Sequence, residues 1–239
     1  WCKNMRVALG LSSKIILVGG GALAVLLAVG ITAVARMAED RVLATSLESG
    51  RALSRQLAAE ISTQMSTDLA VAEGVANSFS AMKVGGVIDR TVYDRVIEAN
   101  FVHATDLLGV WAGFQPNALD GNDAAFRDTP TSDDTGRYLT YINRVSGQML
   151  VEAIGDYTGP NSAYYQTPLT TGKAFMTPPT IYDVAGRDVM MLSASVPIKA
   201  GGAIIGVAGV DIELDAWNKR LNETKPFGTG NVLLFTNDL

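Results

Sequence analysis

The chain has 239 residues, of which 48% are hydrophobic and 18% are charged, a composition that indicates a folded protein of one ordinary domain plus further segments. Its only cysteine is Cys2 and its only histidine is His103, which excludes disulfide frameworks, Cys/His zinc sites and Ser-His-Asp triads. The formal net charge of −5 argues against nucleic acid as a partner.

The first predicted element is a transmembrane helix. No residue from Ile15 to Ala35 is charged, and a helix of this length, rising about 1.5 Å per residue, matches the hydrocarbon core of a bilayer. Lys3, Arg6 and Lys14 precede the helix, so the positive-inside rule places residues 1–14 in the cytoplasm and the rest of the chain outside. The alternative is a cleaved signal peptide, because Ala33-Val34-Ala35 fits a small-x-small cleavage site.

The part predicted to lie outside the membrane is acidic. All 24 acidic residues follow Lys14, whereas 16 of the 19 basic residues do, which leaves a net charge of about −8. This balance favours cationic or neutral ligands over anionic ones. We also expect Met5 to be the natural start, since MRVALGLSSKIILVGG is typical of a natural N-terminus.

A long amphipathic helix is predicted to continue the membrane helix. From Arg36 to about Met82, apolar residues recur at steps of three or four with charged residues between them. Such a helix is far longer than one small domain needs, so we expect it to pack along a whole module or against a second copy in a homodimer. The alternative is two core helices with a break near Gly50 or Gly74.

The elements that follow predict an antiparallel sheet with helices on one face, an α+β fold. A second helix begins at Asp89 or Thr91 and ends near Ala104. We predict a short helix from Ser162 to Leu169 and these strands: Leu107–Gln115, Arg137–Val145, Met149–Ile154, Phe175–Tyr182, Asp188–Ile198 and Ala203–Ile212.

A polar loop between the first two strands has the composition of a calcium site but not its spacing. It carries Asp120, Asn122, Asp123 and Asp128. A calcium loop that starts at Asp120 needs glycine at its sixth position and glutamate at its twelfth, where this chain has Thr131. Because no phosphate loop or nucleophile–base pair is visible either, we expect no metal, no cofactor and no enzymatic activity.

Several segments in series carry a family resemblance: GRYLTYINR, DYTGPNSAYYQTPLTTGK, PPTIYDVAGRDVMMLSASVPI and GVAGVDIEL. Together they resemble the membrane-distal module of double Cache (dCache) sensor domains of bacterial methyl-accepting chemotaxis proteins, over roughly Arg36 to Asp238. The resemblance implies a PAS-like sheet whose cavity faces the short helix and encloses a small molecule. It also implies a plasma-membrane protein with a periplasmic or extracellular sensor for chemotaxis signal transduction. The alternative is the Cache sensor region of a membrane histidine kinase or diguanylate cyclase.

The same resemblance divides the chain. It implies a transmembrane helix at residues 15–35, the long helix and membrane-distal Cache module at 36–212, and a linker helix with the start of a membrane-proximal module at 213–239. The helix from Leu214 to Glu223 corresponds to the linker, and Asn231 to Thr236 to the first strand of the next module. On this interpretation the chain stops before the membrane-proximal module is complete.

The candidate site residues follow from the resemblance. Amino-acid-binding members hold the ligand carboxylate with arginine and tryptophan of an RxWY motif, whereas this chain has Ser162-Ala163-Tyr164-Tyr165 and lacks the arginine. Asp183 and Asp211 match the positions that take up an ammonium group, and carboxylates form charge-assisted hydrogen bonds with N–H donors. The ligand is therefore expected to be an amine, a quaternary ammonium compound or an amino-acid-like metabolite. The aromatic candidates for cation–π contacts and other ligand contacts are Trp111, Tyr138, Tyr164, Tyr165 and Tyr182.

Structural roles remain open for the same residues. Asp183 and Asp211 are also compatible with turn or strand-end aspartates, and Trp111 with a core residue. Arg137 and Arg144 either pair with surface acids, which we favour, or supply an anion contact in place of the missing arginine.

Overall fold

A computed structural model describes residues 10–234, which form two compact units, 10–57 and 58–234. Helix α1 begins at Leu11 and ends at Val84 without interruption at Gly50 or Gly74. The prediction of one long helix is therefore confirmed and the two-helix alternative is wrong. Gly85 and Gly86 end the helix, because Gly86 has a positive φ of 79° and the Gly85 N–H donates to Ala81 O at 2.9 Å.

The first unit is helical from Leu11 onward, and most of its side chains are exposed. An 18-residue window in α1 has a mean hydropathy of 2.5, and none of the window is buried, so the helix is long and apolar enough to cross a membrane. Beyond the predicted span, Val42, Leu43 and Leu47 are 66%, 59% and 53% exposed.

The second unit contains three more helices and a seven-stranded sheet within residues 58–234. Its helices and strands are α2 (Arg90–His103), β1 (Gly109–Phe114), β2 (Leu139–Asn143), β3 (Leu150–Ala153), α3 (Ala163–Thr171), β4 (Phe175–Met176), β5 (Thr180–Val184), β6 (Arg187–Ala200), β7 (Ala203–Glu213) and α4 (Asp215–Glu223). Helix α2 follows Asp89, whose carboxylate accepts the Thr91 N–H at 2.9 Å, as a helix N-cap requires. The strands pair antiparallel in the order β3-β2-β1-β7-β6-β4, and β5 pairs with β6.

The sheet is covered on both faces. Side chains alternate along β1, so Val110, Ala112 and Phe114 lie in the core that also contains Phe79 of α1 and Tyr93 of α2. Side chains at the intervening positions of β1 point to the opposite face of the sheet. A second core lies on that face and includes residues of α3. The α+β fold with an antiparallel sheet is confirmed, but helices lie on both faces because every residue of β1 is buried and both faces need a cover.

Two predicted strands differ from the structure. The segment Phe175 to Tyr182 is divided into β4 and β5, because Pro178 and Pro179 lack the N–H that a sheet ladder requires. Residues 231–234 have no regular structure, and the rest of the strand predicted from Asn231 to Thr236 lies outside the described residues.

Candidate ligand-binding site

A cavity of about 510 Å³ opens on the face of the sheet that α3 covers. Its lining comes from β1, β2, β3, β5, β6, β7, the start of α3 and the loop between β3 and α3. The predicted residues Trp111, Tyr164, Tyr182, Asp183 and Asp211 all line it. A volume of this size, on the order of several hundred Å³, suits a small organic molecule.

Asp211 is the most buried carboxylate of the cavity, with 4% of its surface exposed. Its Oδ1 accepts hydrogen bonds from Trp111 Nε1 at 3.1 Å and from Ser193 Oγ at 2.7 Å. Within residues 10–234, no cationic side chain forms an ion pair with it. Burial raises the pKa of Asp211 to about 6, although hydrogen bonds from Ser193 and Trp111 favour the ionised form.

Two glycines make room for the aromatic rings around Asp211. Gly209 lies opposite Trp111 in the β1–β7 pairing, and a Cβ at this position would overlap the indole ring. Gly109 pairs with Asp211, and a Cβ there would overlap the Tyr141 ring. Because these two glycines have no side chain, the rings of Trp111 and Tyr141 can lie against the backbone beside the Asp211 carboxylate.

The Tyr141 hydroxyl is buried and has no hydrogen-bond partner among the described residues. Its side chain lines the cavity, and its oxygen lies close enough to Asp211 to favour the ionised carboxylate, although outside ordinary hydrogen-bond geometry. Since buried polar groups normally have partners, this hydroxyl indicates a bound molecule or water in the cavity.

Three further carboxylates line the cavity. Asp183 is exposed and accepts the Gly186 N–H at 2.8 Å, so it also holds the turn between β5 and β6. Glu152 of β3 accepts from Asn143 Nδ2 at 2.7 Å, and its pKa is raised, first by burial and further by the charge of Asp183. Asp156 follows β3. The described residues that line the cavity include no lysine, arginine or histidine, so the charges of this lining are all negative.

Tyr164 and Tyr182 connect the cavity to the loop that precedes α3. The Tyr164 ring meets Trp111 edge to face at 5.1 Å and Tyr182 at 5.9 Å between centroids. The Tyr164 hydroxyl donates to Gly155 O, and the Tyr182 hydroxyl donates to Asn161 O at 3.4 Å. The three rings therefore form an aromatic wall whose position depends on this loop.

Two of the predicted tyrosines do not line the cavity. The Tyr165 hydroxyl accepts from Arg137 Nη2 at 2.8 Å beneath α3. Tyr138 lies on the opposite face of the sheet, where its hydroxyl donates to Asp94 Oδ1 at 2.7 Å. The structure therefore brings five of the seven predicted residues together at one cavity and places these two elsewhere.

The cavity also contains residues that sequence reasoning missed: Tyr141, Glu152, Asp156 and Ser193. For Ser193 the signal would have been its register, because it pairs with Asp211 in the β6–β7 hairpin. For Glu152 it would have been an acidic residue at the centre of a predicted strand.

The two arginines considered for the site are structural. Arg137 donates to Phe114 O from Nε at 3.1 Å and from Nη2 at 2.8 Å. Arg144 donates to the carbonyls of Phe101 at 2.7 Å and Thr105 at 2.8 Å, where α2 ends. Neither forms a direct ion pair with an acid in the described part of the chain, although the charge of Arg137 favours the ionised form of Asp133.

The acidic loop considered for calcium holds an arginine. Arg90 Nε lies 2.7 Å from Asp120 Oδ2, and Arg90 Nη2 lies 2.8 Å from Asp123 Oδ1. Arg90 Nη1 also donates to Gly136 O at 2.8 Å. The guanidinium therefore uses both carboxylates to fasten the loop to the start of α2.

Comparison with known proteins identifies the family. Residues 94–219 match the methyl-accepting chemotaxis protein-like, first PDC sensor domain. The methyl-accepting chemotaxis protein TlpQ of Pseudomonas aeruginosa is 34% identical over 122 residues, which cover 46% of this chain and 17% of TlpQ. The match therefore spans about a sixth of the length of this relative.

Two solved structures are similar in fold and sequence. Methyl-accepting chemotaxis protein X has a TM-score of 0.69 and 26% identity, and the match covers 79% of this chain and 70% of that one. The extracellular domain assigned to the histidine kinase mmHK1S-Z2 has a TM-score of 0.64 and 32% identity, with 72% of this chain and 62% of that one covered. The predicted resemblance is confirmed at the level of the sensor domain: the chain belongs to the family of methyl-accepting chemotaxis protein-like proteins and carries their first PDC sensor domain.

Proposed function

We propose that this chain is the sensing part of a bacterial chemoreceptor and that its cavity binds a small organic cation, either an amine or a quaternary ammonium compound. The observation that carries the proposal is Asp211, a buried carboxylate that has no cationic partner in the described part of the chain and whose cavity is lined there by acids as its charged residues. Removing a carboxylate from water is costly unless a positive charge accompanies it. A ligand ammonium group would supply that charge.

The other lining residues support the same ligand class. Trp111, Tyr164 and Tyr182 offer aromatic rings, which attract cations and cover the apolar parts of a ligand. A ligand carboxylate would meet Glu152 and Asp183 without a basic residue to neutralise it. Amines without a free carboxylate are therefore favoured over amino acids.

The remaining parts of the proposal concern the membrane and the assembly. The apolar part of α1 is proposed to anchor the chain in the plasma membrane, with the sensor domain outside the cytoplasm. The exposed apolar residues Val42, Leu43 and Leu47 are proposed to contact a second copy in a homodimer. Ligand binding would then shift α1 between two signalling arrangements, without chemical turnover.

A histidine kinase sensor is the second candidate, because the mmHK1S-Z2 domain resembles this chain as strongly as the chemoreceptor domains do. Both candidates share the cavity and differ in the output domain. Sequencing the gene beyond the codon for Leu239 distinguishes them: methylation helices would indicate a chemoreceptor, and a kinase domain would indicate the alternative.

The ligand class is tested by thermal unfolding of the 239-residue chain in detergent. n-Butylammonium and tetramethylammonium should raise the midpoint, and a cation at about a hundred times its Kd should stabilise the folded state by roughly 2.7 kcal/mol. Butyrate and butanol serve as anionic and neutral controls of similar size, and neither should shift the midpoint.

Matched variants locate the binding site. Asp211→Asn should weaken binding of both cations at least about tenfold, because the amide has the shape of the carboxylate but no charge. Asp188→Asn removes an exposed charge outside the cavity and should leave binding unchanged. A response to butyrate alone, or equal cation affinities in both variants, would refute the proposed ligand class.

A further inference from the structure

The groups that face Asp211 from the neighbouring helix and strands are uncharged. The groups that face it are the Trp111 indole from β1, the Tyr141 ring from β2, Ser193 from β6, Tyr164 from α3 and Tyr182 from β5. All five are neutral near physiological pH, since burial raises the pKa of each of the three tyrosines.

Among residues 10–234, the charged side chains that share the cavity with Asp211 are Glu152, Asp156 and Asp183. None of the three supplies a positive charge that could offset the charge of Asp211. The empty cavity must therefore hold a buried carboxylate that only neutral hydrogen-bond donors stabilise, and a bound proton removes this cost.

The Tyr141 hydroxyl is a second feature of the cavity floor beside Asp211. It is buried and makes no hydrogen bond of ordinary geometry within residues 10–234, but its oxygen lies close enough to Asp211 to favour the ionised carboxylate. Hydroxyl oxygens donate and accept, so this group can accept from an ammonium or donate to a carboxylate. It can thus serve both the occupied and the empty state of the cavity.

We propose that binding of an organic cation expels a proton from the Asp211 carboxyl group, so that the sensor binds its ligand tightly at neutral pH and weakly in mildly acidic surroundings. The exchange is balanced: one O–H bond of the carboxyl group breaks, the proton goes to solvent, and the ammonium provides the positive charge. This inference rests on the proposed function, since it assumes that the ligand is a cation.

The expected pH range follows from the ligand-free site. Burial raises the pKa of the Asp211 carboxyl group to about 6, and the pKa of Glu152 is also raised. A cation must compete with the proton below this pH, so affinity falls by up to about tenfold per pH unit. For a single site of this kind, the affinity at about pH 5 should be roughly a tenth of that at about pH 7.5.

The proton itself is tested without any ligand. The chain has three tryptophans, and the indole ¹H–¹⁵N resonance of Trp111, identified by Trp111→Phe, reports on the bond to Asp211. In the full chain in detergent, this resonance should titrate with a midpoint near pH 6, as the carboxyl group takes up its proton. The transition should vanish in Asp211→Asn and persist in Asp183→Asn. A resonance that is constant between about pH 4.5 and 8, or that titrates equally in Asp211→Asn, would overturn the inference.

The coupling is tested by calorimetry with tetramethylammonium, whose charge does not change with pH. Binding heats in two buffers of different ionisation enthalpy give the number of protons released, which should be about one half near pH 6 and about zero near pH 8. If the cation binds without proton release while the indole resonance titrates, the coupling is refuted and the proposed function stands. If neither tetramethylammonium nor n-butylammonium binds at any pH, the proposed ligand class fails and the coupling fails with it, whatever the resonance shows.

Discussion

Asp211 combines two roles that have opposite effects on the folded protein. Its Oδ1 accepts from Trp111 and Ser193, which orders the cavity floor, but its charge is buried without a cationic partner among residues 10–234. Binding sites commonly retain such a conflict, because the group that destabilises the free protein is the group that attracts the ligand.

Asp211→Asn is therefore expected to be at least as stable as the parent at neutral pH. The folded-state pKa of about 6 lies above the ordinary value of 3.8, so the folded state binds more protons than the unfolded state between these values. The unfolding free energy of the parent consequently falls as pH rises through this window, by up to roughly 3 kcal/mol, and the loss is complete above it. The amide variant keeps an oxygen acceptor and lacks this dependence.

The measurement is the difference between the unfolding midpoints of Asp211→Asn and the parent, in detergent and without ligand, from about pH 4 to 7.5. The difference should grow in favour of the variant as pH rises. Asp188→Asn removes an exposed carboxylate outside the cavity and is the matched control. Parallel curves for Asp211→Asn and the parent would show that the carboxylate bears no desolvation cost.

Residue-level prediction from the sequence was limited by register. Asp211 and Trp111 could be selected from sequence segments, but Ser193 could not be assigned to Asp211, because the β6–β7 pairing shifts at Ile198/Lys199. Tyr138 and Tyr141 illustrate the same limit. Tyr141 lies in β2 and Tyr138 directly precedes this strand, and the two side chains face opposite sides of the sheet, but no pattern in the sequence shows which side contains the cavity.

At the level of elements, the helices and most strands were predictable because their signals are local. The steps of three and four in α1 predict one helix, and the glycines inside it do not interrupt it, since Gly74 is exposed and has open space where a side chain would lie. The close approach of the Trp111 ring of β1 to the backbone of β7 was not predictable. It is a tertiary contact, which depends on the position of the ring and not on the local sequence.

This close approach can be tested by Gly209→Ala. The added methyl group would overlap the Trp111 ring, displace it from Asp211 and overpack the sheet, at an expected cost of about 1–3 kcal/mol in the free energy of unfolding. Gly74→Ala is the matched control, because it adds the same group in open space on a helix and should stabilise the chain by about 0.5–1 kcal/mol.

Urea unfolding of the full chain in detergent measures both glycine variants. Gly209→Ala should also weaken n-butylammonium binding, which Gly74→Ala should not affect. If both variants were equally stable and bound the cation equally, Gly209 would not be needed for the position of the indole.

At the scale of the whole molecule, the sequence predicted its parts more reliably than its assembly. The family and the fold follow from motifs and periodicity, and both are confirmed. The division into membrane helix, sensor module and linker stays a prediction, as does the double-module organisation, because both depend on regions and partners outside a single chain. The exposed apolar residues of α1 have the same status, since hydrophobicity alone does not distinguish contact with lipid from contact with protein.

A homodimer through α1 predicts a periodic pattern of cross-links. Leu43 and Leu47 are one helical turn apart and share a face, whereas Thr45 lies on the opposite side of the helix. In a Cys2→Ser background, Leu43→Cys and Leu47→Cys should form disulfide-linked dimers on mild oxidation in membranes, because paired helices bring equivalent residues of the two copies together. Thr45→Cys is the matched control and should remain largely monomeric. Cross-linking that is equal at all three positions would indicate random collision in the membrane, and its absence at Leu43 and Leu47 would refute this interface.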